Sequence, residues 1–460
     1  MSKYRGKKVL VVGFGTSGVS VARYMVKQGA KVTVTDIRQK TELVESMKKA
    51  GELKVEYDLG RHTPELFLDA ELIVVSSGVP LTLKPLEDAR HAGVPITTEV
   101  DLAASHLKEP LIAITGTNGK TTTTLILGEM FRASQREVFV GGNVGTPLID
   151  YLTEEQRAEV VVAEVSSFQL ELTERMVPAA AIFTNIGQDH LDRYGNMDAY
   201  IEAKKRLLHL CDRNSFVILN YDDPVLARFE KETPARVLWY TKRNPISIGG
   251  EFAEDFCGAY FIPGTYEIVA RITGQEERYN LKKLRLFGDH NKENLMAAIC
   301  AARSMGVEPR FIQEVIDTFP GVPHRLEFVR KKDGVYFIND SKSTNVMSLY
   351  KSLTAFRKNP IILIAGGKDK DLDFEPLADV VERRCKLLIL VGEAKEKMNR
   401  ALGEHVETYL VGTFEEAVLM AYQKSRAGDI ILLSPGCGSQ DMFRNYEERG
   451  DYFKKLVSQL

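Results

Sequence analysis

The sequence predicts an α/β protein of three domains, each a mostly parallel sheet flanked by helices. Short β-rich runs alternate with helical patterns along the chain, as expected where a helix connects each strand to a parallel neighbour. These runs fall into three separate sets. A length of 460 residues agrees with about three domains at roughly 150 residues each.

The strands are predicted from short runs rich in Val, Ile and Leu. The first set comprises residues 8–12, 31–35 and 72–76. The second comprises residues 111–115, 160–165 and 180–184. The third comprises residues 335–339, 361–365, 387–391 and 429–434. Residues 234–274 are irregular and carry strands that the sequence does not order.

Two stretches are predicted to link the three sets. Residues 95–110 begin and end with proline, and residues 319–325, F-P-G-V-P-H-R, are rich in Pro and Gly. Domain limits of 1–98, 99–321 and 322–460 follow from these two positions.

Composition and charge exclude several classes of protein. The chain is 44% hydrophobic and 27% charged, as in ordinary globular domains. A net charge of −2 gives no general attraction to nucleic acid or anionic membranes. The apolar run after the basic N-terminus is short and broken by glycines, unlike a signal peptide or membrane span. Five scattered cysteines form no paired metal motif, which fits a reducing cytosol.

A glycine-rich turn follows the first predicted strand. The segment V-V-G-F-G-T-S-G has G-x-G-x-x-G spacing at Gly13, Gly15 and Gly18, and a helical pattern follows. Such glycines let the backbone approach a diphosphate at a helix N-terminus. Asp36 lies at roughly the distance expected of a ribose-binding acid. The pattern predicts a site for NAD or another nucleoside diphosphate, and a plain tight turn is the alternative.

The segment I-A-I-T-G-T-N-G-K-T-T-T-T, residues 112–124, looks like a phosphate-binding loop that lacks one glycine. The usual spacing, G-x-x-x-x-G-K-[ST], would place that glycine at Ile114. Lys120 can still reach terminal phosphates, the Thr121 hydroxyl can bind Mg²⁺, and the N–H groups of residues 116–120 can bind an anion. The alternative is a Gly-Lys-Thr start to an ordinary helix.

The second set of runs carries acidic, histidine and lysine candidates. Glu164 lies among Val and Ala, so its carboxylate must be paired or metal-bound, unless it lies at a solvated sheet edge. Asp189, His190 and Asp192 crowd one loop at a strand end, where α/β sheets bind ligands. A lone histidine is more often structural. Spacing alone makes Lys204, in a helical segment, a surface lysine.

Polar loops also follow strands of the third set. Residues 339–345 read N-D-S-K-S-T-N, and residues 434–450 read S-P-G-C-G-S-Q-D-M-F-R-N-Y-E-E-R-G. Both are polar loops at strand ends, which are ligand positions in α/β sheets. Ser439 and Gln440 are expected to open the last helix, whose N-terminal N–H groups would favour an anion. The glycine turn at residues 362–370, I-L-I-A-G-G-K-D-K, fits a ligand site and a plain strand-end turn equally well.

Together these motifs resemble those of the Mur ligases, the ATP-dependent amide-forming enzymes of bacterial cell-wall synthesis. The shortened loop T-G-T-N-G-K-T-T looks like the family's own phosphate loop, and the resemblance covers essentially the whole chain. Further motifs are G-G-N-V-G, E-V-S-S-F-Q-L, N-I-G-Q-D-H-L-D-R-Y-G, G-D-H-N-K-E-N, H-R-L-E and N-D-S-K-S-T-N. The closing F-R-N-Y-E-E-R-G looks most like members that add D-glutamate to UDP-N-acetylmuramoyl-L-alanine, and the D-N-P-R signature of those adding the third residue is absent from the sequence.

The resemblance implies a fold and a set of ligands for each domain. It implies a Rossmann-like N-terminal domain for the UDP-sugar, a P-loop-type central domain for ATP, and a Rossmann-like C-terminal domain for the amino acid. ATP and Mg²⁺ are the implied cofactors. We expect a cytoplasmic monomer without nucleic-acid or membrane partners.

The resemblance also implies roles for individual residues. The implied catalytic residues are Lys120, Glu164, His190, Lys204, His324 and Arg325. The implied ATP contacts are Gly116, Thr117, Asn118, Gly119, Lys120, Thr121, Thr122, Asn291, Asn294, Arg325 and Asp340. The implied magnesium ligands are Thr121, Glu164, His190 and Lys204. Lys204 would act as a carbamate formed with CO₂, whose oxygens suit a hard cation.

Substrate contacts are implied in the same way. Those for the UDP-sugar substrate are Thr16, Ser17, Asp36, Arg38, Asn143, Ser166 and Gln169. Those for the amino acid are Lys342, Thr344, Lys370, Ser439, Gln440 and Tyr446. One departure from the family pattern is G-C-G-S-Q at residues 436–440, where A-C-A-S-[FL] is more usual.

Three other functions fit part of the sequence. A folate polyglutamate synthetase would share the central and C-terminal domains but would not need the N-terminal glycine turn. An NAD-dependent oxidoreductase built on residues 13–36 would leave residues 116–121 unexplained. A non-catalytic nucleotide-binding regulator would not need the polar loops of the last domain.

Overall fold

The computed structural model describes residues 2–153, 157–286, 288–356, 359–369 and 372–460. The chain divides into two compact units. One comprises Met1–Lys282 and Lys292–Ile316, and the other comprises Lys283–Asn291 and Asp317–Leu460. Within the described ranges, no helix has both the length and the apolar character needed to cross a bilayer.

The first sheet has five parallel strands in the order β3-β2-β1-β4-β5. Its strands are β1 (Lys8–Val12), β2 (Lys31–Asp36), β3 (Glu56–Leu59), β4 (Leu72–Val75) and β5 (Ile96–Thr98). The helices of this region are α1 (Thr16–Lys27), α2 (Val44–Ala50), α3 (Pro64–Asp69), α4 (Lys84–His91) and α5 (Glu99–Ala104). Near-continuous apolar runs form the central strands, as expected for a sheet covered on both faces.

The second sheet has nine strands in the order β14-β13-β12-β11-β10-β9-β6-β8-β7. They are β6 (Leu111–Thr115), β7 (Val138–Gly142), β8 (Val160–Glu164), β9 (Ala180–Phe183), β10 (Phe216–Asn220), β11 (Arg236–Thr241), β12 (Gly258–Phe261), β13 (Glu267–Arg271) and β14 (Glu276–Asn280). Pairing is parallel from β7 to β12, whereas β13 and β14 are antiparallel.

Nine helices accompany the second sheet among the described residues. They are α6 (Lys120–Ala133), α7 (Leu148–Thr153), α8 (Ser167–Leu170), α9 (Leu191–Tyr194), α10 (Met197–His209), α11 (Pro245–Ile248), α12 (Gly250–Glu254), α13 (Asp289–Ser304) and α14 (Pro309–Thr318). Helix α1 packs against α7 within one unit, and Ser20 Oγ donates a 2.9 Å hydrogen bond to Asp150 Oδ2. One hydrophobic core therefore runs through the regions of the first and second sheets.

The third sheet has six strands in the order β15-β16-β20-β17-β18-β19, parallel except for the β15–β16 pair. The strands are β15 (Glu327–Lys332), β16 (Val335–Asn339), β17 (Ile361–Gly366), β18 (Cys385–Val391), β19 (Thr408–Leu410) and β20 (Ile430–Leu433). Helices α15 (Val346–Thr354), α16 (Ala378–Arg384), α17 (Lys395–Leu402), α18 (Phe414–Lys424) and α19 (Tyr446–Gln459) flank it. Separate apolar cores lie on its two faces.

The predicted fold class is confirmed, but two local predictions are wrong. Residues 95–110 do not form a simple linker, because β5 and α5 lie within them and Val100, Leu102 and Ala103 are fully buried. Ser439 and Gln440 do not open a helix. The last helix begins at Tyr446, and Asn445 Oδ1 caps it by accepting from the Glu448 N–H. The exact domain limits stay a prediction.

Candidate active site

The phosphate-type loop joins β6 to α6 and needs its glycines. Gly116 has a φ of +139° and Gly119 a φ of +88°, both in the region that disfavours side chains. A Cβ at Gly116 would overlap Thr184 Oγ1, and one at Gly119 would overlap Asn294 Oδ1. The two glycines therefore let the loop fit against β9 and α13.

Residues 184 and 185, just after β9, hold the loop in place. The Thr117 N–H donates to the Asn185 carbonyl (2.8 Å), and the Asn118 N–H donates to Asn185 Oδ1 (3.0 Å). Thr184 Oγ1 donates to the Asn118 carbonyl (2.6 Å). These bonds fix the loop backbone. Residues 184 and 185 begin the T-N-I-G part of a family motif, but no role was inferred for them from the sequence.

Glu164 ends β8, which lies beside β6 in parallel, as the sequence predicts for a carboxylate near the loop. Its side chain is buried, so the alternative of an acid at a solvated edge is wrong. Glu164 Oε2 accepts from Thr121 Oγ1 (2.8 Å), and Oε1 accepts from Asn143 Nδ2 (3.0 Å). The loop hydroxyl and the buried carboxylate therefore lie together.

Two lysines converge on one carbonyl oxygen. Lys120 Nζ donates to the Gly116 carbonyl at 3.0 Å, and Lys204 Nζ donates to the same oxygen at 2.8 Å. Lys204 lies on α10 and is only 2% exposed, so its interpretation as a surface lysine is wrong. Its Nζ also lies 4.7 Å from the centre of the buried Tyr200 ring.

The surroundings make Lys204 a poor cation. Burial, with the nearby charge of Lys120, lowers the pKa of Lys204 to about 7. The Asp189 and Glu164 carboxylates oppose this shift. Near neutral pH a substantial fraction of the amine is therefore uncharged, which is the form that acts as a nucleophile.

His190 lies beside this group. It precedes α9 with a φ of +52°, and its ring centre lies 4.7 Å from that of Phe168 and 6.3 Å from that of Tyr200. Its Nε2 is 3.6 Å from Asp189 Oδ2. The side chain is partly exposed, so it can reach a ligand in solvent.

A divalent cation fits the donor chemistry of this centre. The described side chains include no cluster of three or more His, Cys, Asp and Glu groups. A magnesium ion needs only one or two protein oxygens, because it keeps several waters and binds phosphate oxygens. The Thr121 hydroxyl and the Glu164 carboxylate, already 2.8 Å apart, can supply such oxygens.

The first glycine turn serves two purposes. A Cβ at Gly18 would overlap the Gly13 carbonyl, so Gly18 allows α1 to pack closely on the turn. The Cβ position of Gly15 faces open space, which leaves room for a ligand, and Thr16 and Ser17 follow in the first turn of α1.

Asp36 is already engaged by its own domain. Its two oxygens accept from the Phe14 N–H and from three N–H groups of Arg38, at 2.7–3.0 Å. Although burial opposes it, these bonds lower the pKa of Asp36. The carboxylate therefore anchors Arg38 beside the glycine turn and is not left open for a ribose.

The third sheet presents a second polar group of residues. Asp340 is buried and accepts from Ser352 Oγ, Ser434 Oγ and the Leu326 N–H. Burial raises the pKa of Asp340 to about 6. His324 is also buried, and its Nδ1 lies 3.1 Å from Asn339 Nδ2. Burial, together with the charge of Lys454, lowers the pKa of His324.

Ser439 and Lys342 lie on neighbouring strand-end loops. Ser439 is 1% exposed, and its Oγ has no hydrogen-bond partner among the described atoms. Gln440 is exposed and its Oε1 accepts from the Ser439 N–H (3.1 Å). Lys342 Nζ lies 3.8 Å from the centre of the Tyr446 ring. A buried hydroxyl without a described partner on one loop, and a lysine on the neighbouring loop, suit a polar, anionic ligand.

Comparisons with known proteins decide the family. Models described as the Mur ligase MurD-like N-terminal domain, the Mur ligase middle domain and the Mur ligase glutamate ligase domain match residues 7–98, 114–302 and 324–437. The UDP-N-acetylmuramoylalanine–D-glutamate ligase of Bdellovibrio bacteriovorus is 46% identical over 99% of this chain and 98% of its own length.

This chain belongs to the Mur ligase family.

The resemblance seen in the sequence motifs is thus confirmed. A protein of the same name from Geotalea uraniireducens is 45% identical, again over 99% of this chain and 98% of its own. Two solved structures share the fold. A pseudomurein peptide ligase type C from Methanothermus fervidus has a TM-score of 0.59 at 23% identity. The match covers 99% of this chain and 100% of that one. UDP-N-acetylmuramate-alanine ligase MurC from Thermotoga maritima has a TM-score of 0.59 at 18% identity. That match covers 98% of this chain and 99% of the other.

Other residues implied by the Mur ligase motifs occupy mixed settings. Ser166 and Gln169 bond each other in a capping box at the start of α8, which is a structural role by itself. Asn291 and Asn294 are both buried near the start of α13. Arg325 is exposed, and Thr344 is partly exposed. Thr122 is buried in the first turn of α6. Lys370 lies outside the described residues.

The glycine turn after β17 is explained by packing. A Cβ at Gly366 would overlap the Val391 carbonyl, and one at Gly367 would overlap the Gly438 carbonyl. The two glycines are therefore required by the neighbouring strand-end loops, whether or not a ligand lies there.

We predict that Lys204 makes stability depend on pH. Its pKa is about 7 when folded and 10.5 in its usual state, so between these values the unfolded chain binds a proton that the folded chain does not. Stability from this group therefore rises with pH above 7, by up to about 1.4 kcal/mol per pH unit. In urea unfolding in CO₂-free buffer, the free energy of unfolding of the parent minus that of Lys204→Met should increase from pH 7 to 9.

The adjacent Lys205 supplies a matched control. Its bond with Glu232 raises the pKa of Lys205, so it stays protonated in both states over this range. The stability difference between the parent and Lys205→Met should stay constant. A constant difference for Lys204→Met as well would contradict the prediction.

Proposed function

We propose that this chain joins D-glutamate to UDP-N-acetylmuramoyl-L-alanine, with hydrolysis of ATP to ADP and phosphate, in the synthesis of peptidoglycan precursors. The observation that carries the reaction class is the convergence of Lys120, Lys204, Thr121 and Glu164 on one phosphate-type loop. The choice of substrates is supported by the names of full-length relatives that are 40–46% identical.

The proposed reaction has two steps. The substrate carboxylate attacks the γ-phosphorus of ATP, and ADP leaves as an acyl phosphate forms. The amine of D-glutamate then attacks the acyl carbon, loses a proton, and expels inorganic phosphate as the amide forms. Lys120 and Arg325 offset the negative charge on the transferring phosphoryl group.

A magnesium ion would neutralise charge on the ATP phosphates in this reaction. Thr121 and Glu164 would hold it, with His190 and a carbamylated Lys204 as the further proposed ligands. The N–H groups of residues 116–119 would contact the phosphates, and Asn291 and Asn294 the adenine. In the free protein these two oxygens bond each other, and contacts to the ion would replace that hydrogen bond.

We propose that Lys204 carries the carbamate. The lysine ammonium group would first lose one proton. The neutral amine would then attack CO₂, forming an N–C bond as one C–O π bond opens and releasing a second proton, so that overall a cation becomes an anion. The low pKa of about 7 and the proximity of Lys120 both support this step. The product removes the repulsion between two ammonium groups at the Gly116 carbonyl.

The UDP-sugar would bind at the open glycine turn. Gly15, Thr16 and Ser17 would contact the diphosphate, and Asp36 would hold Arg38 towards the nucleotide. Asn143 would contact the muramoyl part beside Glu164. The internal saturation of Asp36 argues against NAD, and the N-terminal domain itself argues against a folylpolyglutamate-type ligase.

D-Glutamate would bind on the third sheet, with His324 and Asp340 holding the loops on which Lys342, Thr344 and Ser439 lie. Tyr446, Gln440 and Lys370 complete the proposed pocket.

We also propose domain limits of 1–98, 99–321 and 322–460, which the three sheets and the three matched models support. We place the reaction in the cytoplasm, where ATP and UDP-sugars occur, and propose a monomer.

Phosphate release tests the proposed function directly. With ATP and UDP-N-acetylmuramoyl-L-alanine, D-glutamate should exceed L-glutamate and D-aspartate in kcat/KM by at least about 100-fold, because polar pockets leave groups unpaired with the wrong substrate. Calorimetry should detect UDP binding and no NAD binding. Equal use of all three amino acids, or tight NAD binding without UDP binding, would reject the proposal.

Lys120→Ala should lower ATP turnover by about 10²–10³-fold while the protein stays folded, since it removes a charge aimed at the transferring phosphoryl group. The control is Arg132→Ala, an exposed residue paired with Glu129 on the same helix. It should retain parental turnover. Parental turnover in Lys120→Ala would show that the loop has another role.

Lys204→Ala should be inactive, and acetate should restore part of the activity by taking the place of the carbamate carboxylate. Removal of CO₂ should slow the parent and leave the acetate-rescued variant unaffected. A fully active Lys204→Ala protein, or rescue equal to that given by a neutral amide such as acetamide, would refute carbamylation.

A further inference from the structure

A buried arginine underlies the loops of the third sheet. Arg449 lies on α19 and is 1% exposed. Its guanidinium donates four hydrogen bonds, to Ser341 Oγ (3.0 Å), the Ser341 carbonyl (2.9 Å), the Gly438 carbonyl (3.0 Å) and the Cys437 carbonyl (3.2 Å). It lies in the closing motif F-R-N-Y-E-E-R-G, but the resemblance implied no role for it.

These bonds connect the loops that follow adjacent strands. Ser341 follows β16, and residues 437–438 follow β20, which pairs with β16 in the sheet. The Gly438 carbonyl also accepts from the Lys368 N–H in the loop after β17 (3.0 Å). Arg449 therefore joins two loops directly and a third through a shared acceptor.

The four acceptors are uncharged oxygens. Carbonyl and hydroxyl groups satisfy the N–H donors but leave the positive charge in place, whereas a carboxylate would neutralise it. Asp441 and Asp340 act on this charge through space. Because a buried cation costs free energy unless something compensates it, an anionic ligand close to the guanidinium would add to the compensation that these two carboxylates give.

We propose that Arg449 is a positioning residue of the amino-acid site, an inference that depends on the proposed function. Its guanidinium fixes the backbone immediately before Lys342 and Ser439, the two residues proposed to contact the carboxylates of D-glutamate. It also places a positive charge next to the peptide carbonyls that precede them. The Ser439 hydroxyl, buried and without a partner in the described chain, is held for the ligand by this arrangement.

The decisive variant is Arg449→Lys, which keeps the charge but loses the planar fork that spans two loops. The KM for D-glutamate should rise about 10- to 100-fold, with kcat and the KM values for ATP and the UDP-sugar within about twofold of the parent. The preference for D- over L-glutamate should fall. Arg444→Lys, an exposed residue paired with Glu448 just before the same helix, is the matched control and should leave all values unchanged.

A second variant tests the same role if Arg449→Lys does not fold. Ser341→Ala removes one acceptor of the guanidinium and leaves the carbonyl in place, so it should raise the same KM by a smaller factor. An unchanged D-glutamate KM in either folded variant would overturn the proposal. So would a parallel change in all three KM values with a lower Tm, since that is the result of a purely structural role.

The parent, assayed alongside, separates the two hypotheses. If the parent does not use D-glutamate, the proposed function fails. If the parent does use it and Arg449→Lys keeps its KM, the role of Arg449 fails alone.

Discussion

The carbonyl oxygen of Gly116 is the point on which the candidate ATP site depends. Two lysine ammonium groups donate to it within 3.0 Å, so the two charges lie close together in a largely buried region. Such a pair is unfavourable without a nearby anion. One solution is loss of a proton from Lys204, as its low pKa indicates. Another is an anion, and either of the two proposed groups, a phosphate or a lysine carbamate, would supply negative charge here.

The sequence predicted those parts of this centre that follow from strand order and residue type. Glu164 ends an apolar strand, and parallel pairing of β8 with β6 brings it to Thr121. The same logic could not place Lys204, because helical spacing does not say which face of α10 packs on the sheet. Its burial depends on the packing of α10 against the loop, where the Gly116 carbonyl accepts from Lys204 Nζ. Resemblance to a family identified this lysine where periodicity made it a surface residue.

Local errors have similar causes. Residues 95–110 looked like a linker because prolines bound them, yet the apolar face of α5 joins a core that both neighbouring sheets share. Ser439 and Gln440 were expected to open the last helix, but that helix begins at Tyr446 and Asn445 supplies its cap. This difference leaves the Ser439 hydroxyl unpaired in a buried loop. The glycines after β17 could not be assigned from sequence, because only the positions of the Val391 and Gly438 carbonyls show why a side chain is excluded.

Each of the two units holds a cationic side chain through hydrogen bonds to uncharged oxygens. In one, Lys120 donates to the Gly116 and Thr117 carbonyls, and in the other Arg449 donates to three carbonyls and a hydroxyl. Paired carboxylates would stabilise these cations more strongly in the free protein, but they would also cancel the attraction for phosphate or carboxylate groups. Neutral acceptors satisfy the hydrogen bonds and keep the charge. Asp36 and Arg38 make the opposite arrangement, because there the carboxylate orients the guanidinium on a partly exposed surface, where a fixed position matters more than net charge.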